Sequence, residues 1–340
     1  MKTITLQQPG TFTLTDTAAP NSPQAGQALV RVQRIGICGT DIHAFRGRQP
    51  FFNYPRILGH ELGVEIVEIA PNDLGLKPGD RCAVEPYLNC GQCIACRRGK
   101  TNCCTQLQCL GVHTDGGMRE QIIVPIQKLH RSEKLPLDQL ALVETLGIGA
   151  HAVHRAGLEP REFALVIGAG PIGLSVMQFL LPAGMQTIVL DISTHRLEFC
   201  RKTLSVQHTI DASTGDPIDQ LRAITSGDLP TAVFDATGNA QSMMRALSFA
   251  AHGGKVVYVG LVQSDLTFND PEFHRKELTL FASRNSTPAD FKRIIGLMEN
   301  KTIDTTPWIT HRAPFDAMIG QFPAWTDPKT GVIKAVVEVG

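Results

Sequence analysis

The side chains most able to do chemistry are unevenly placed. Of nine cysteines, Cys90, Cys93, Cys96, Cys103, Cys104 and Cys109 crowd one short segment, while Cys38, Cys82 and Cys200 lie elsewhere. The run Cys90-Gly-Gln-Cys93-Ile-Ala-Cys96 repeats a two-residue spacer, and Cys104 returns after a loop. Such turns let two thiolates meet one ion, and Zn2+ takes four sulfurs tetrahedrally at about 2.3 Å. Cys103 is the neighbouring rival of Cys104. A small iron–sulfur cluster also uses closely spaced cysteines, and a cluster of free thiols is the reading without function. A four-sulfur zinc site is closed to substrate, so its expected role is structural, holding a loop with little core of its own.

A second pattern concerns nucleotides. Ala164-Leu-Val-Ile-Gly168-Ala-Gly170-Pro171-Ile172-Gly173 joins an apolar strand to a helix-forming run. Gly168 suits a tight turn, Gly170 a close approach of backbone to pyrophosphate, and Gly173 the packing of helix on strand. The helix N-terminus offers free N–H groups and a partial positive charge to the phosphates. Asp191 ends the next apolar strand, where an acid can accept hydrogen bonds from the ribose hydroxyls and repel a 2′-phosphate. NAD is therefore expected over NADP, with Arg196 nearby as the group able to reverse that preference. A third set, Cys38, Thr40, Asp41 and His43, then Gly59-His60-Glu61 and finally Glu144, contains a thiolate, an imidazole and carboxylates. These make a mixed zinc site open to water or substrate, although their separation in sequence does not by itself bring them together.

The elements that must position these residues fall into two textures. Up to about residue 140, short β-segments (28–33, 64–69, 81–84, 121–124) alternate with Gly/Pro connectors such as Lys77-Pro78-Gly79-Asp80, a barrel-like pattern. Beyond it, apolar strands at 164–168, 187–191, 232–235 and 255–260 alternate with helical stretches, the βαβ signature of a parallel doubly wound sheet. From about residue 284 the pattern is mixed again, ending in a strand-like run at 331–339. The reading is α/β, with a nucleotide-binding domain inserted into a β-rich one. His151 and His154 stand one helical turn apart, a metal-capable spacing, but are expected on a helix surface or in a core. Arg46 and Arg48 could bind an anionic substrate group in a fork geometry, or meet only water; Pro50, Phe51 and Phe52 beside them could line a pocket or pack in the core.

Composition narrows the class. The 340 residues are 43% hydrophobic and 19% charged, and 32 basic residues cancel 32 acidic ones. Zero net charge removes the positive field on which nucleic-acid binding mostly rests. No apolar run is long enough to span a bilayer, and none follows a basic N-terminus as a secretory signal would. An odd, clustered set of cysteines in a long chain also disfavours a secreted disulfide framework. A soluble, cytoplasmic protein is expected, without nucleic-acid or membrane partners.

Taken together and in order, residues 36–43, Gly59-His60-Glu61, the four-cysteine lobe, Gly111-Val-His113-Thr-Asp-Gly-Gly117 and the glycine fingerprint resemble the zinc-dependent medium-chain alcohol and polyol dehydrogenases. The resemblance covers essentially the whole chain and is strongest to the sorbitol, threonine and sugar-acid branch. It implies a GroES-like catalytic domain at 1–142 and 284–340, with a structural zinc lobe at 88–107, and a Rossmann domain at 143–283. It also implies two zinc ions per chain. Cys38, His60, Glu61 and Glu144 would form the catalytic site, the two carboxylates binding directly or alternating with water. Asp41 would orient His60, Thr40 would take the substrate proton and His43 would pass it outward. Cys90, Cys93, Cys96 and Cys104 would hold the structural ion, and Gly168, Gly170, Pro171, Ile172, Gly173, Asp191 and Arg196 the cofactor.

The implied reaction moves a hydride between NAD and a secondary alcohol of a polyol or of a sugar acid such as L-galactonate. Threonine, amino-alcohol or simple-alcohol oxidation is the alternative within the family, and a catalytically silent NAD-binding sensor or a zinc-ribbon module the alternative outside it. A homodimer or homotetramer pairing through the sheet edge near 256–261 is expected. The chain departs from the family pattern in two places: Val64, preceded by Gly63, stands where members usually have glycine, and Thr145 replaces a proline that commonly follows the second glutamate. His113 has no role assigned by the residues alone.

Overall fold

A computed structural model of the chain describes residues 1–49 and 52–340, and in it the polypeptide folds as two compact units. The first comprises residues 1–145 and 287–340, the second residues 146–286. Each junction lies three residues beyond the boundary drawn from sequence, so Glu144 and Thr145 belong with the first unit. Pro50 and Phe51 lie outside the described residues. None of the described helices is long and apolar enough to cross a membrane.

The first unit is built on the ten-residue strand Gln27–Gly36, which pairs antiparallel with Glu61–Ile69, Gln121–Pro125 and Lys334–Glu338. Arg81–Val84 and Leu129–Arg131 extend the sheet beyond Glu61–Ile69, and Ile309–Pro314 lies parallel to Lys334–Glu338 at the other end. Its inward residues alternate as a two-sided strand requires: Ala28, Val30 and Val32 are fully buried while Arg31 is exposed. They join Ile4, Leu6, Val64, Ile66 and Phe322 in one core. Register then places the chemistry. Gly36 faces Glu61 across one strand pair and Val336 across another, so the end of the strand, the Gly-His-Glu segment and the C-terminal strand converge.

The second unit is a six-stranded parallel sheet. Its strands in chain order are Phe163–Ile167, Gln186–Asp191, His208–Asp211, Ala232–Asp235, Lys255–Tyr258 and Thr279–Ala282. Their spatial order is third, second, first, fourth, fifth, sixth, the doubly wound arrangement whose crevice binds dinucleotides. One sequence expectation is corrected here. Lys255–Tyr258, the strand within the expected edge at 256–261, is an interior strand, paired on both sides, and the sheet edge on that side is Thr279–Ala282, with His208–Asp211 at the other. The helix Val143–Ala156 buries His151 and leaves His154 exposed, so this pair does not share an environment.

Candidate active site

Cys38 ends the long strand's continuation and caps the short helix Gly39–Phe45. Asp41, fully buried three residues into that helix, accepts the Cys38 N–H through Oδ2 at 2.9 Å. Its other oxygen lies 3.7 Å from His60 Nδ1. One carboxylate thereby caps the helix and faces the imidazole within ion-pair range. Burial raises the Asp41 pKa, with His60 pulling the other way. Thr40 and His43 stand three positions apart on the same helix, hence on one side of it. His43 is held below the ordinary imidazole value by desolvation and by the neighbouring charges of Arg46 and Arg48.

His60 is fixed from behind. Gly116, Gly117 and Met118 donate their N–H groups to the carbonyls of Ile57, Gly59 and Leu58, at 2.8, 2.8 and 2.9 Å. The glycine-rich segment is therefore a brace for the Gly-His-Glu turn. His113 within it accepts the Cys109 N–H through Nδ1 at 3.0 Å, which gives that histidine a role in the loop's shape.

Cys38, His60 and Glu61 bring their ligand atoms within 4.8 Å of one another. Both Glu61 oxygens accept from Lys334 Nζ, at 2.7 and 2.8 Å, in a pair with almost no exposure. Burial opposes ionisation of Glu61, but Lys334 and His60 outweigh it and hold the carboxyl below its usual range. For Lys334 burial likewise opposes the charge, and Glu61 outweighs it, raising the pKa. The approach is so close that a Cβ on Gly36 would stand 2.0 Å from Glu61 Oε2. Glu144, also buried, lies outside the three-residue group and accepts a hydrogen bond from the Tyr87 hydroxyl. Its pKa is raised, by burial first and then by the Glu61 charge, against the pull of His60.

The donor set of thiolate, imidazole and carboxylate suits zinc. His60 Nδ1 and Asp41 Oδ1 are both buried and without a hydrogen-bond partner, yet face each other at 3.7 Å; a pairing between them would leave Nε2 for an ion. Burial opposes a charge on His60, but Asp41, Cys38 and Glu144 around it favour one and hold its pKa well above the ordinary imidazole value, an environment that also suits a bound cation. The residues therefore fit a bound metal.

The lobe forms a second group. Cys90, Cys93, Cys96 and Cys104 also bring their sulfurs within 4.8 Å of one another, whereas Cys103 is exposed. Backbone N–H groups point at all four sulfurs: Cys90 and Gln106 at Cys104 Sγ (3.3 and 3.4 Å), Cys93 at Cys90 Sγ (3.4 Å), Cys96 at Cys93 Sγ (3.5 Å) and Gly91 at Cys96 Sγ. These turns are preorganised for one tetrahedral ion.

In the second unit Gly168 has φ +95°, a conformation that favours glycine. A Cβ on Gly173 would lie 1.8 Å from the Gly168 carbonyl, so only glycine lets the helix Pro171–Leu180 start this close to the strand. At Gly170 the nearest group to a Cβ would be Arg196 Nη1 at 3.6 Å, leaving room beside the turn. Asp191 is tethered by the Ala169 and Ser193 N–H groups at 2.6 and 2.8 Å. Each oxygen retains a lone pair for a ribose hydroxyl.

Residues 24–134 match the alcohol dehydrogenase GroES-like domain, and residues 171–300 the zinc-binding dehydrogenase domain. L-galactonate-5-dehydrogenase of Escherichia coli K12 is 42% identical, over 99% of this chain and 98% of that one. The 2-dehydro-3-deoxy-L-galactonate 5-dehydrogenase of Pseudoalteromonas atlantica is 31% identical over 93% of each chain. A solved structure of the alcohol dehydrogenase RspB from E. coli CFT073, complexed with NADH, superimposes with a TM-score of 0.92 at 29% identity, covering 100% of this chain and 99% of that one. The chain belongs to the zinc-dependent medium-chain alcohol and polyol dehydrogenases.

As a member of that family the protein is an oxidoreductase, with zinc and a nicotinamide dinucleotide as its cofactors. Within this dehydrogenase, three residues near the site have no role that the sequence assigns. Lys334 stands 273 positions from its partner Glu61. Tyr87 pairs antiparallel with Cys109 in a two-stranded ribbon that the cysteine lobe connects. Burial pushes the Cys109 thiol up to about 12, so it stays neutral beside the charged groups. The glycine displaced to position 63 also has a reason. A Cβ there would meet the Leu137 carbonyl at 2.3 Å, while Val64 turns into the core.

Proposed function

We propose that this dehydrogenase oxidises a secondary alcohol of a sugar acid, L-galactonate or a close relative, to the ketone with NAD. The observation that carries the reading is the convergence of Cys38, His60 and Glu61 beside a helix bearing Thr40 and His43. It is supported by the names of two relatives that act on galactonate-type substrates. Cys38 Sγ, His60 Nε2 and Glu61 would hold the ion, with Glu144 kept apart by Tyr87. When bound, zinc supplies a Lewis acid for the hydroxyl oxygen and NAD an acceptor for hydride. The remaining work belongs to side chains. Thr40 Oγ1 would accept the substrate hydroxyl proton while handing on its own, and His43, kept neutral near pH 7 by its lowered pKa, would take that proton and pass it towards solvent.

Arg46 and Arg48 flank His43 electrostatically and are the cations we assign to the substrate carboxylate, although Arg46 also donates to the Thr326 carbonyl at 2.5 Å. Asp191 favours NAD over NADP. The edge strand Thr279–Ala282 is the pairing edge we assign to a homodimer or homotetramer, and the reduced thiols suit the cytoplasm. A NADH-fluorescence screen against sugar acids, polyols and amino alcohols, with and without chelator, tests the proposal. Turnover should be highest on a sugar acid and vanish in Cys38→Ser while NAD binding persists. Equal efficiency on simple primary alcohols would overturn it.

A further inference from the structure

One sulfur of the lobe is reached by a side chain that is itself tied to a buried lysine. Cys96 Sγ is approached at 3.7 Å by a side-chain donor, Nδ2 of Asn89. The Asn89 carbonyl oxygen accepts from Lys128 Nζ at 2.9 Å. An ammonium only donates, so it fixes which end of the amide faces it and commits the NH2 group to the sulfur. Lys128 is itself buried and paired with Glu85 at 2.5 Å. Glu85 takes the His130 Nε2 contact at 3.1 Å, and the His130 ring stacks on Phe291 with centroids 4.7 Å apart. A continuous polar chain, His130–Glu85–Lys128–Asn89, thus runs from the barrel strands Arg81–Val84 and Leu129–Arg131 and their flank to a single thiolate of the lobe.

We propose that Asn89 and Lys128 are positioning residues for the structural metal: Lys128 orients the Asn89 amide, and the amide holds Cys96 in ligating position and disperses its charge. Partners of this outer kind commonly alter metal retention 10- to 100-fold. The inference rests on the assignment of the lobe as a zinc site, but its test is independent of turnover.

The chain is loaded with Co2+ and challenged with excess EDTA, and the near-ultraviolet cobalt–thiolate charge-transfer band, dominated by the four-sulfur lobe, is followed with time. Asn89→Ala and Asn89→Asp should each release the lobe ion about ten-fold faster and move the band to lower energy, because an unbonded thiolate is the better electron donor. Lys128→Met should accelerate release similarly, and the double variant with Asn89→Ala should be no faster than Asn89→Ala alone, since both act through one amide. If Lys128→Met does not fold, Glu85→Gln/Lys128→Met removes both buried charges and replaces it. Wild-type release and an unmoved band in both Asn89 variants would overturn the proposal, as would multiplicative effects in the double variant. A four-thiolate band absent from the unsubstituted chain would instead remove the lobe assignment itself.

Discussion

Glu61 is held by two neighbours that make opposite demands on space and charge. Gly36 must stay bare, because a methyl group there would stand 2.0 Å from the carboxylate. Gly36→Ala is therefore expected to push Glu61 out of the ligand group. Zinc content should fall from two ions per chain towards one by elemental analysis, with loss of turnover and about 1–3 kcal/mol of stability. Two ions retained at full activity would show that the carboxylate is not a ligand. Lys334 supplies the charge. Removing it leaves an unpaired buried carboxylate, which typically costs about 3–5 kcal/mol. In chelator-treated protein Lys334→Met should lower the urea midpoint accordingly, and Lys334→Met/Glu61→Gln should recover much of the loss; equal midpoints for all three chains would dismiss the pair as a stabilising contact. The four lobe cysteines were legible because their spacing is itself chemical information; Cys38 and His60, far apart in the chain, were picked out only by the family resemblance. Lys334 and Tyr87 were not. An isolated lysine or tyrosine reads as ordinary surface or core, and only strand register brings either to the site.

The elements were legible to different depths. Short β-segments set off by Gly/Pro connectors disclosed the barrel strands, and apolar runs between helices disclosed the parallel sheet, because burial on both faces leaves a local signature. Strand order leaves none. The last strand legible in the sequence of this unit was 255–260, Thr279–Ala282 was passed over, and which strand ends the sheet depends on helix crossovers far from either. Cross-element contacts are equally silent in sequence, as the short helix Leu137–Ala141 shows. Its Asp138 accepts from Arg34 Nε at 2.9 Å on the strand Gln27–Gly36, and from Arg312 Nη2 at 2.6 Å on Ile309–Pro314, tying three elements. Burial alone would raise the Asp138 pKa, but the two guanidinium groups prevail and lower it. A carboxylate lowered on folding stabilises the native state above its unfolded pKa, about 3.9, and loses that contribution as pH falls through the folded value. With the side chain 25% exposed, solvent screening keeps the gain to about 1 kcal/mol or less. Asp138→Asn should therefore trail the parent by a constant margin between about pH 5 and 8, and the margin should close below about pH 4. A margin that widens in acid would contradict the assignment.

At the scale of the whole molecule, the two units have separate cores and different spectroscopic labels. Both tryptophans, Trp308 and Trp325, lie in the first unit, and both are buried there. Indole fluorescence therefore reports the barrel alone. Most of the longer helices, by contrast, belong to residues 146–286, so ellipticity at 222 nm is weighted towards the nucleotide-binding unit. Both metal clusters consist of first-unit residues, and ligands that assemble only on folding return their binding free energy as stability. Exhaustive chelation should therefore lower the tryptophan-detected melting temperature by several degrees, given about 2–4 °C per kcal/mol for a unit of this size. The 222 nm transition should move less and separate from it. Readdition of Zn2+ should bring the two together, and NADH should raise the 222 nm transition in the chelated protein, because its glycine turn and Asp191 both lie in the second unit. Coincident transitions that chelation leaves unmoved would mean that the sulfur, imidazole and carboxylate clusters bind no ion of consequence to the fold, and the assignment of both sites would fall with them.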